Sequence, residues 1–131
     1  MINTFLALVL ALMPIVQQTI TVNVETCEPG LCGSYNFVTN SLTVCDGMTE
    51  SLTEETIAHE LIHAVQDARD GIDNNTIVPL LTQQQRDTLA NTGRGRYVLS
   101  VLEQYPQDQL TQAVEFEAWY FESTLADILF D

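Results

Sequence analysis

The stretch Ser51–Asp70, SLTEETIAHELIHAVQDARD, is the clearest helical sequence of the chain and decides the interpretation of its fold. Ser51 and Glu54 fit a capping box, the acidic first turn suits the positive end of the helix dipole, and Gly71 is a natural stop. On a helical wheel the apolar residues fill one continuous arc and the polar residues fill the complementary arc. The pattern predicts a helix anchored by its apolar arc, with the polar arc turned towards a cleft or water.

The polar arc carries the only two histidines of the chain, in the pattern His59-Glu60-Leu61-Ile62-His63. On a helix, residues four apart lie about 6 Å apart along the axis and nearly on one face. Both imidazoles can therefore reach one Zn²⁺ at about 2.0–2.1 Å, and Glu60 can take a proton from a water that zinc activates. Two exposed histidines on a solvated face are the alternative, but random placement rarely produces this spacing. The motif indicates a zinc site with Glu60 as general base.

A catalytic zinc ion needs a third protein ligand and an open fourth position. Because no third histidine exists, we expect a carboxylate from the last predicted helix, Asp108–Leu129. Glu117 falls in the apolar arc of that helix, where a carboxylate needs a strong partner such as zinc. Glu115 shares an arc with small residues that would allow close approach to the metal helix. The wheel leaves Glu115 and Glu117 open as the third ligand, and it assigns Glu122 to a solvated face.

The chain resembles the peptidase family of the mitochondrial ATP-synthase processing and assembly factor over residues 27–70. The resemblance consists of a hairpin with Gly33-Ser34-Tyr35, a cysteine ending the next strand, and HELIHA closely followed by Asp and Arg. Residues 113–125 are similar to the E-x-E-A-x-x-F signature of ImmA/IrrE-type and other small gluzincin peptidases. In both families the first glutamate binds the metal, which implies Glu115 as the third ligand. The resemblance also implies a zincin-like fold and zinc as the cofactor.

Other side chains are candidates for supporting roles. Asp67 lies one turn after His63 and could orient a ligand as a hydrogen-bond acceptor, or it could be a surface charge paired with Arg69. Tyr97 or Tyr120 could donate to the oxyanion of a tetrahedral intermediate, although a half-buried core position is the commoner place for a tyrosine.

Strands precede the metal helix and further helices follow it, which predicts an α+β class. Alternating sequence predicts the strands and helical periodicity the helices. The predicted strands are Thr19–Glu25, Tyr35–Val38 and Ser41–Cys45, the last two joined near Thr39-Asn40, and the further helices are Leu80–Ala90, Tyr97–Gln104 and Asp108–Leu129, with a loop at Asn91–Gly95. The strand just before the metal helix, Ser41–Cys45, could offer its edge to an extended peptide.

The apolar run Phe5–Val16, FLALVLALMPIV, is too short to span a bilayer comfortably. It also lacks the basic region and clear cleavage site of a signal peptide. The favoured interpretation of residues 1–16 is a core helix that Pro14 stops, and an atypical export signal is the alternative.

The three cysteines, Cys27, Cys32 and Cys45, cannot all pair within the chain. The favoured interpretation is reduced, half-buried thiols, as in most intracellular proteins. A bond from Cys27 to either Cys32 or Cys45 is the alternative.

A length of 131 residues predicts one domain, residues 1–131, and 46% hydrophobic residues argue against disorder. The net charge of −14 excludes nucleic acid and anionic membrane as partners, because no phosphate-neutralising patch can form. We therefore expect a soluble intracellular zinc metalloendopeptidase that acts on a peptide or protein substrate and has no transmembrane span. The alternative is a non-catalytic or regulatory metal-binding domain that recognises a partner protein, for which the charge favours a basic partner.

Overall fold

A computed structural model describes residues 2–29, 32–69, 77–105 and 107–130, apart from the side chains of residues 2 and 3. These residues form an α+β structure in which a small sheet precedes most of the helices, as predicted. In chain order the elements are α1 (Ile2–Thr19), β1 (Thr21–Glu25), β2 (Gly33–Asn36), β3 (Ser41–Cys45), α2 (Glu50–Ala68), α3 (Gln83–Ala90), α4 (Gly93–Leu102) and α5 (Gln109–Phe130).

Helix α1 continues through Pro14 to Thr19, so the predicted stop at the proline is wrong. A proline removes one backbone hydrogen bond, but here the helix on both sides of it is held by packing. The side chains that α1 buries recur every three or four residues: Phe5, Val9, Met13 and Val16. In the part of the chain that the structure describes, no helix is both long and apolar enough to cross a membrane.

The sheet has the strand order β1-β3-β2, with β1 parallel and β2 antiparallel to β3. Asn40 adopts a positive φ of 52° in the turn between β2 and β3, a conformation that asparagine tolerates better than most residues. Because β3 is the central strand, both of its edges are paired, and the prediction that its edge could receive a peptide is wrong. The outer strands of the sheet are β1 and β2.

A disulfide joins Cys27 to Cys45, and Cys32 is an exposed free thiol. The expectation of three reduced cysteines is therefore wrong. The parallel pairing of β1 with β3 places Glu25 opposite Cys45, which brings Cys27 close to the end of β3. Of the two alternatives that the sequence left open, a bond from Cys27 to Cys32 or to Cys45, the second is the one in the structure.

Helix α2 begins two residues earlier than the predicted capping box implies. Thr49 is the N-cap, and its hydroxyl accepts a hydrogen bond from Leu52 N at 3.2 Å. The capping role predicted for Ser51 is therefore wrong. The helix ends at Ala68, and the predicted stop at Gly71 lies outside the described residues.

The two helices that follow have caps that the sequence interpretation missed. Thr82 and Gln85 form a complete capping box, so α3 begins at Gln83 and not at Leu80. Thr92 caps α4, which begins at Gly93, so most of the predicted loop at residues 91–95 is helical. The capping hydroxyls supply acceptors for the first N–H groups of each helix, which outweighs the low helix propensity of the glycines.

Helix α2 lies at the centre of the structure, with the sheet and α1 packed on it and α5 packed along it. Its apolar arc is buried, as predicted, but its polar arc is buried too. Gln66 and Asp67 have 0% exposure, and Glu60 and His63 are also buried. The polar arc therefore faces protein and not water: α5 contacts His59, His63 and Gln66, and Tyr35 of β2 contacts Asp67.

Candidate metal centre

Two imidazoles from α2 and one carboxylate from α5 converge on one point. The Nε2 atom of His63 lies 2.6 Å from Oε1 of Glu115, and Nε2 of His59 lies 3.5 Å from Oε2 of the same carboxylate. One potential ligand atom from each of the three residues lies within 4.8 Å of the others, so the cluster could hold a metal ion. The two histidines are on one face of α2 because they are four residues apart.

Glu115 reaches the histidines because small side chains let α5 approach α2 closely. Ala118, one turn after Glu115, has 0% exposure, and Ala126 further along the same face is also buried. The helical wheel left Glu115 and Glu117 open as the third ligand, and Glu115, the residue that the resemblance implies, is the one that lies next to the histidines.

Glu117 is fully buried, but on another side of α5. Its Oε1 accepts hydrogen bonds from Leu80 N at 2.8 Å and Gln66 Nε2 at 3.0 Å, and its Oε2 accepts one from Leu81 N at 2.8 Å. Burial raises the pKa of Glu117, and these donors, together with Arg86, act in the opposite direction. The strong partner that this carboxylate needs is a pair of backbone N–H groups, so the structure brings Glu115, and not Glu117, to the histidines.

The second nitrogen of each imidazole also has a partner. Nδ1 of His59 lies 3.3 Å from Oε1 of Glu122, and Nδ1 of His63 lies 2.8 Å from Oε1 of Gln66. The predicted solvated position of Glu122 is therefore wrong, because α5 presents it to the buried polar arc of α2. Spacing was the available signal: Glu122 lies two helical turns after Glu115, and Gln66 lies three residues after His63.

The electrostatics of the cluster are those of a buried acid–base group. Burial by itself lowers the pKa of His59, but hydrogen bonds with Glu115 and Glu122 outweigh it and raise the pKa to about 10. Burial by itself raises the pKa of Glu115, but its contacts with both histidines hold the pKa well below the usual value. With Glu60 also beside them, the imidazoles are surrounded by carboxylates, an environment that favours a bound cation.

Glu60, on α2, lies beside the cluster, and its side chain is close to the start of β2. Burial raises its pKa, while the charges of His63 and His59 act in the opposite direction. Gly33 packs so closely here that a Cβ atom would lie 2.7 Å from Thr56 Cγ2 and 3.7 Å from Glu60 Cγ. The strand nearest to the general-base candidate is therefore β2, whose outer edge is not paired with another described strand.

Asp67, the last residue of the polar arc of α2, binds the sheet. It has 0% exposure and accepts a hydrogen bond from Tyr35 Oη at 2.7 Å, so the alternative of a surface charge paired with Arg69 is wrong. Burial, and then the hydrogen bond and the charge of Asp67, hold the pKa of Tyr35 far above its usual range. Arg69 donates instead to the carbonyl oxygen of Pro79.

The structure does not bring the two tyrosine candidates for oxyanion binding to the cluster. The hydroxyl of Tyr120 lies 3.2 Å from Thr92 Oγ1 at the start of α4. Tyr97 is 59% exposed on the surface, not half-buried as expected. The aromatic residue that contacts the cluster is Trp119, whose ring is edge-on to His59 with centroids 5.3 Å apart.

Comparisons with known protein families, with curated proteins and with solved structures give no match to this chain.

Proposed function

We propose that the protein is a zinc-dependent metalloendopeptidase with a zincin-like fold, which hydrolyses peptide bonds in a peptide or protein substrate. The observation that carries the proposal is the convergence of His59, His63 and Glu115, with Glu60 beside them on the same helix. A cluster of this kind on a surface could be incidental, but these side chains are packed between two helices.

The donor set fits zinc. Two imidazole nitrogens and one carboxylate are the protein ligands of a common class of catalytic zinc site. His59 and His63 would bind through Nε2, since their Nδ1 atoms contact Glu122 and Gln66. Such contacts fix the orientation of the rings and are a usual feature of histidines that bind zinc.

The chemistry divides between the metal and Glu60. A zinc ion held by His59, His63 and Glu115 would supply Lewis-acid chemistry, lowering the pKa of a water molecule towards neutrality. Glu60 takes up the proton from the attacking water and delivers it to the leaving amine. Burial raises the pKa of Glu60, which suits a group that must hold the proton between these two steps.

The Glu60→Gln variant tests this function most directly. It keeps the size of the side chain and removes the base, so we expect stoichiometric zinc and a loss of cleavage of about 100-fold or more. Metal analysis of the purified protein and hydrolysis of casein or labelled peptides, with and without a chelator, measure the two effects. Full proteolysis by Glu60→Gln would refute the role of Glu60.

Two further variants complete the test. His63→Ala should lose zinc and activity together, whereas Glu103→Gln, a change at an exposed carboxylate at the end of α4, should change neither. If the wild-type protein holds stoichiometric zinc but cleaves nothing and captures a basic protein, the peptidase proposal fails in favour of a metal-binding recognition domain.

A further inference from the structure

The side chain of Gln66 is fully buried between His63, a proposed zinc ligand, and Glu117, whose carboxylate binds the loop before α3. Its Oε1 lies 2.8 Å from Nδ1 of His63. Its Nε2 donates on the opposite side to the carbonyl oxygen of Val114 at 3.0 Å and to Oε1 of Glu117 at 3.0 Å. One amide group therefore links His63 to α5 and to Glu117.

These contacts determine which nitrogen of His63 carries the proton. The two oxygen acceptors beside Nε2 of Gln66 require the NH₂ end of the amide to face them, so the carbonyl oxygen must face the imidazole. A carbonyl oxygen can only accept, and Nδ1 of His63 must therefore be the donor. Nε2 of His63, which lies 2.6 Å from Oε1 of Glu115, is then the nitrogen that would bind the metal ion in place of that contact.

Glu117 extends the same network to the loop before α3. Its carboxylate accepts from Leu80 N and Leu81 N, and the backbone oxygen of Gln66 accepts from Val78 N. Residues 78–81 are thus attached to Gln66 and Glu117 through the backbone N–H groups of Val78, Leu80 and Leu81.

We propose that Gln66 is a positioning residue that holds His63 in its zinc-binding tautomer, and that Glu117 maintains Gln66 in the required orientation. The inference rests on the proposed zinc site. It assigns to Glu117, the carboxylate that does not reach the histidines, a role in zinc binding that acts through Gln66.

Zinc affinity, measured by competition with a chromogenic chelator, tests this pair as a double-mutant cycle. Gln66→Met keeps the approximate volume and removes every hydrogen bond of the side chain, so we expect zinc affinity to fall by about 10- to 100-fold. Glu117→Gln, a milder change that retains one acceptor oxygen, should cause a smaller loss. In the Gln66→Met background, Glu117→Gln should have no further effect on zinc affinity, because its influence passes through Gln66.

Two results would overturn the inference: unchanged zinc affinity in Gln66→Met, or independent, multiplying losses in the double variant. Leu102→Ala, in the core of α4, is the control for general destabilisation, and it should lower thermal stability without changing zinc affinity. If the wild-type protein binds no zinc, the proposed function fails, whereas a wild-type zinc site insensitive to Gln66 refutes only the positioning role.

The three cysteines carry a second inference, independent of the metal site. The β2–β3 register pairs Gly33 with Val44, and the bond from Cys45 N to Cys32 O at 2.8 Å continues it by one residue. Cys32 is therefore directly opposite Cys45. Residues opposite each other in a hydrogen-bonded antiparallel pair have Cα atoms about 5.5 Å apart, which lies within the range of a disulfide. The free thiol of Cys32 is thus placed to bond the same cysteine that Cys27 already binds.

We infer that Cys45 can exchange its partner between Cys27 and Cys32. The thiolate of Cys32 attacks Sγ of Cys45, a Cys32–Cys45 bond forms, and Cys27 leaves as the thiolate. The number of disulfides and of free thiols stays the same, so no oxidant is needed. The exchange moves the covalent link from the β1 side of β3 to the start of β2, next to Gly33, which packs on α2 near Glu60.

Disulfide mapping by mass spectrometry tests the exchange. After equilibration at pH 8 without oxidant, a rapid alkylation of the wild-type protein should label both Cys32 and Cys27. The Cys27→Ser variant, oxidised in a glutathione buffer, should form an intramolecular Cys32–Cys45 bond. Labelling of Cys32 alone in the wild type, with no such bond in Cys27→Ser, would contradict the inference. Cys45→Ser is the control, and rapid formation of a Cys27–Cys32 bond there would show that pairing follows proximity and not the strand register.

Discussion

At the scale of single residues, the two imidazoles of the cluster are not equivalent. The Nδ1 atom of His59 contacts the carboxylate of Glu122, while Nδ1 of His63 contacts the neutral amide of Gln66. A carboxylate partner orients the ring and also increases its basicity, whereas an amide only orients it. We therefore expect the charge of Glu122 to matter for metal binding through His59.

The Glu122→Gln variant isolates that charge. It preserves the shape of the side chain and an acceptor oxygen, so a fall in zinc affinity of about 10-fold is expected from the loss of charge alone. Competition with a chelator at several protein concentrations measures it. Glu103→Gln removes one negative charge from the exposed end of α4 and serves as the control for a general effect of net charge. Equal affinities in all three proteins would mean that Glu122 does not act on the site.

Because of Tyr35, we expect the free energy of unfolding to decrease at alkaline pH. Burial, and then its bond to Asp67, raise its pKa far above the ordinary 10.0, so the folded state holds the phenolic proton more tightly than the unfolded state. The stability that this provides is complete below pH 10 and is lost as the pH rises beyond it. Urea unfolding between pH 8 and pH 11 should show a steeper decline for the wild type than for Tyr35→Phe. Parallel declines would indicate that Tyr35 ionises equally in both states.

The residues of the site differ in whether the local sequence is enough to predict them or a distant segment is also needed. His59, Glu60 and His63 could be predicted because helical spacing alone puts them together. Glu115 required a comparison of two faces of a distant helix, and the residue-level resemblance favoured it. Glu122 and Gln66 could not be assigned, because a helical wheel describes one helix and does not say which element covers its polar arc.

At the scale of elements, α2 is held on both of its arcs. The sheet and α1 pack on one side of α2, where Tyr35 also donates a hydrogen bond to Asp67, and α5 packs along the helix with both apolar contacts and hydrogen bonds to the polar arc. An amphipathic sequence is usually a sign of a helix with one solvated side, which is why the burial of the second arc was not foreseen. The cluster of His59, His63 and Glu115 therefore lies inside a helix–helix interface and depends on its packing.

The start of α2 provides a test of its boundary. Thr49→Ala removes the hydroxyl that accepts from Leu52 N, and we expect a loss of about 1 kcal/mol in the free energy of unfolding. Ser51→Ala removes a hydroxyl from the exposed first turn of the helix and should be close to neutral, since alanine is a better helix former there. Chemical denaturation compares the two variants with the wild type. A larger loss for Ser51→Ala would restore the capping box that the sequence suggests.

Other element boundaries differ from prediction for similar reasons. Pro14 and the glycines of the NTGRG stretch are breakers in isolation, yet α1 passes through the first and α4 begins within the second. Packing holds α1 together, and the Thr92 cap compensates for the glycines of α4. The existence of the long helices could be predicted from periodicity, but their ends depend on contacts that lie outside the local sequence.

At the scale of the whole molecule, the chain is strongly acidic, with a net charge of −14, and three carboxylates of the cluster region add to this repulsion locally. A divalent cation bound there would offset part of that repulsion and would link α2 to α5. The α+β class could be predicted from the order of strand-like and helix-like segments. The parallel pairing of β1 with β3 could not, since it is set by contacts between distant segments, and without it the sequence could not decide between Cys32 and Cys45 as the partner of Cys27.

Removal of metal should therefore destabilise the whole molecule and not only the site. A ligand that binds only the folded state at 100 times its dissociation constant stabilises by about 2.7 kcal/mol. We expect calorimetry to show a higher unfolding temperature with zinc than after chelation. His63→Ala should unfold at the same temperature with and without zinc. A zinc-dependent shift of equal size in that variant would place the binding elsewhere.

The position of Trp119 has a practical consequence. It is the single tryptophan of the chain, and its indole is edge-on to His59 at an interplanar angle of 78°. Indole emission responds to the charge of an adjacent imidazole, and Trp119 is the only source of such emission in the sequence. The protein thus contains its own optical reporter, which allows ions to be screened by titration without a dye or a label.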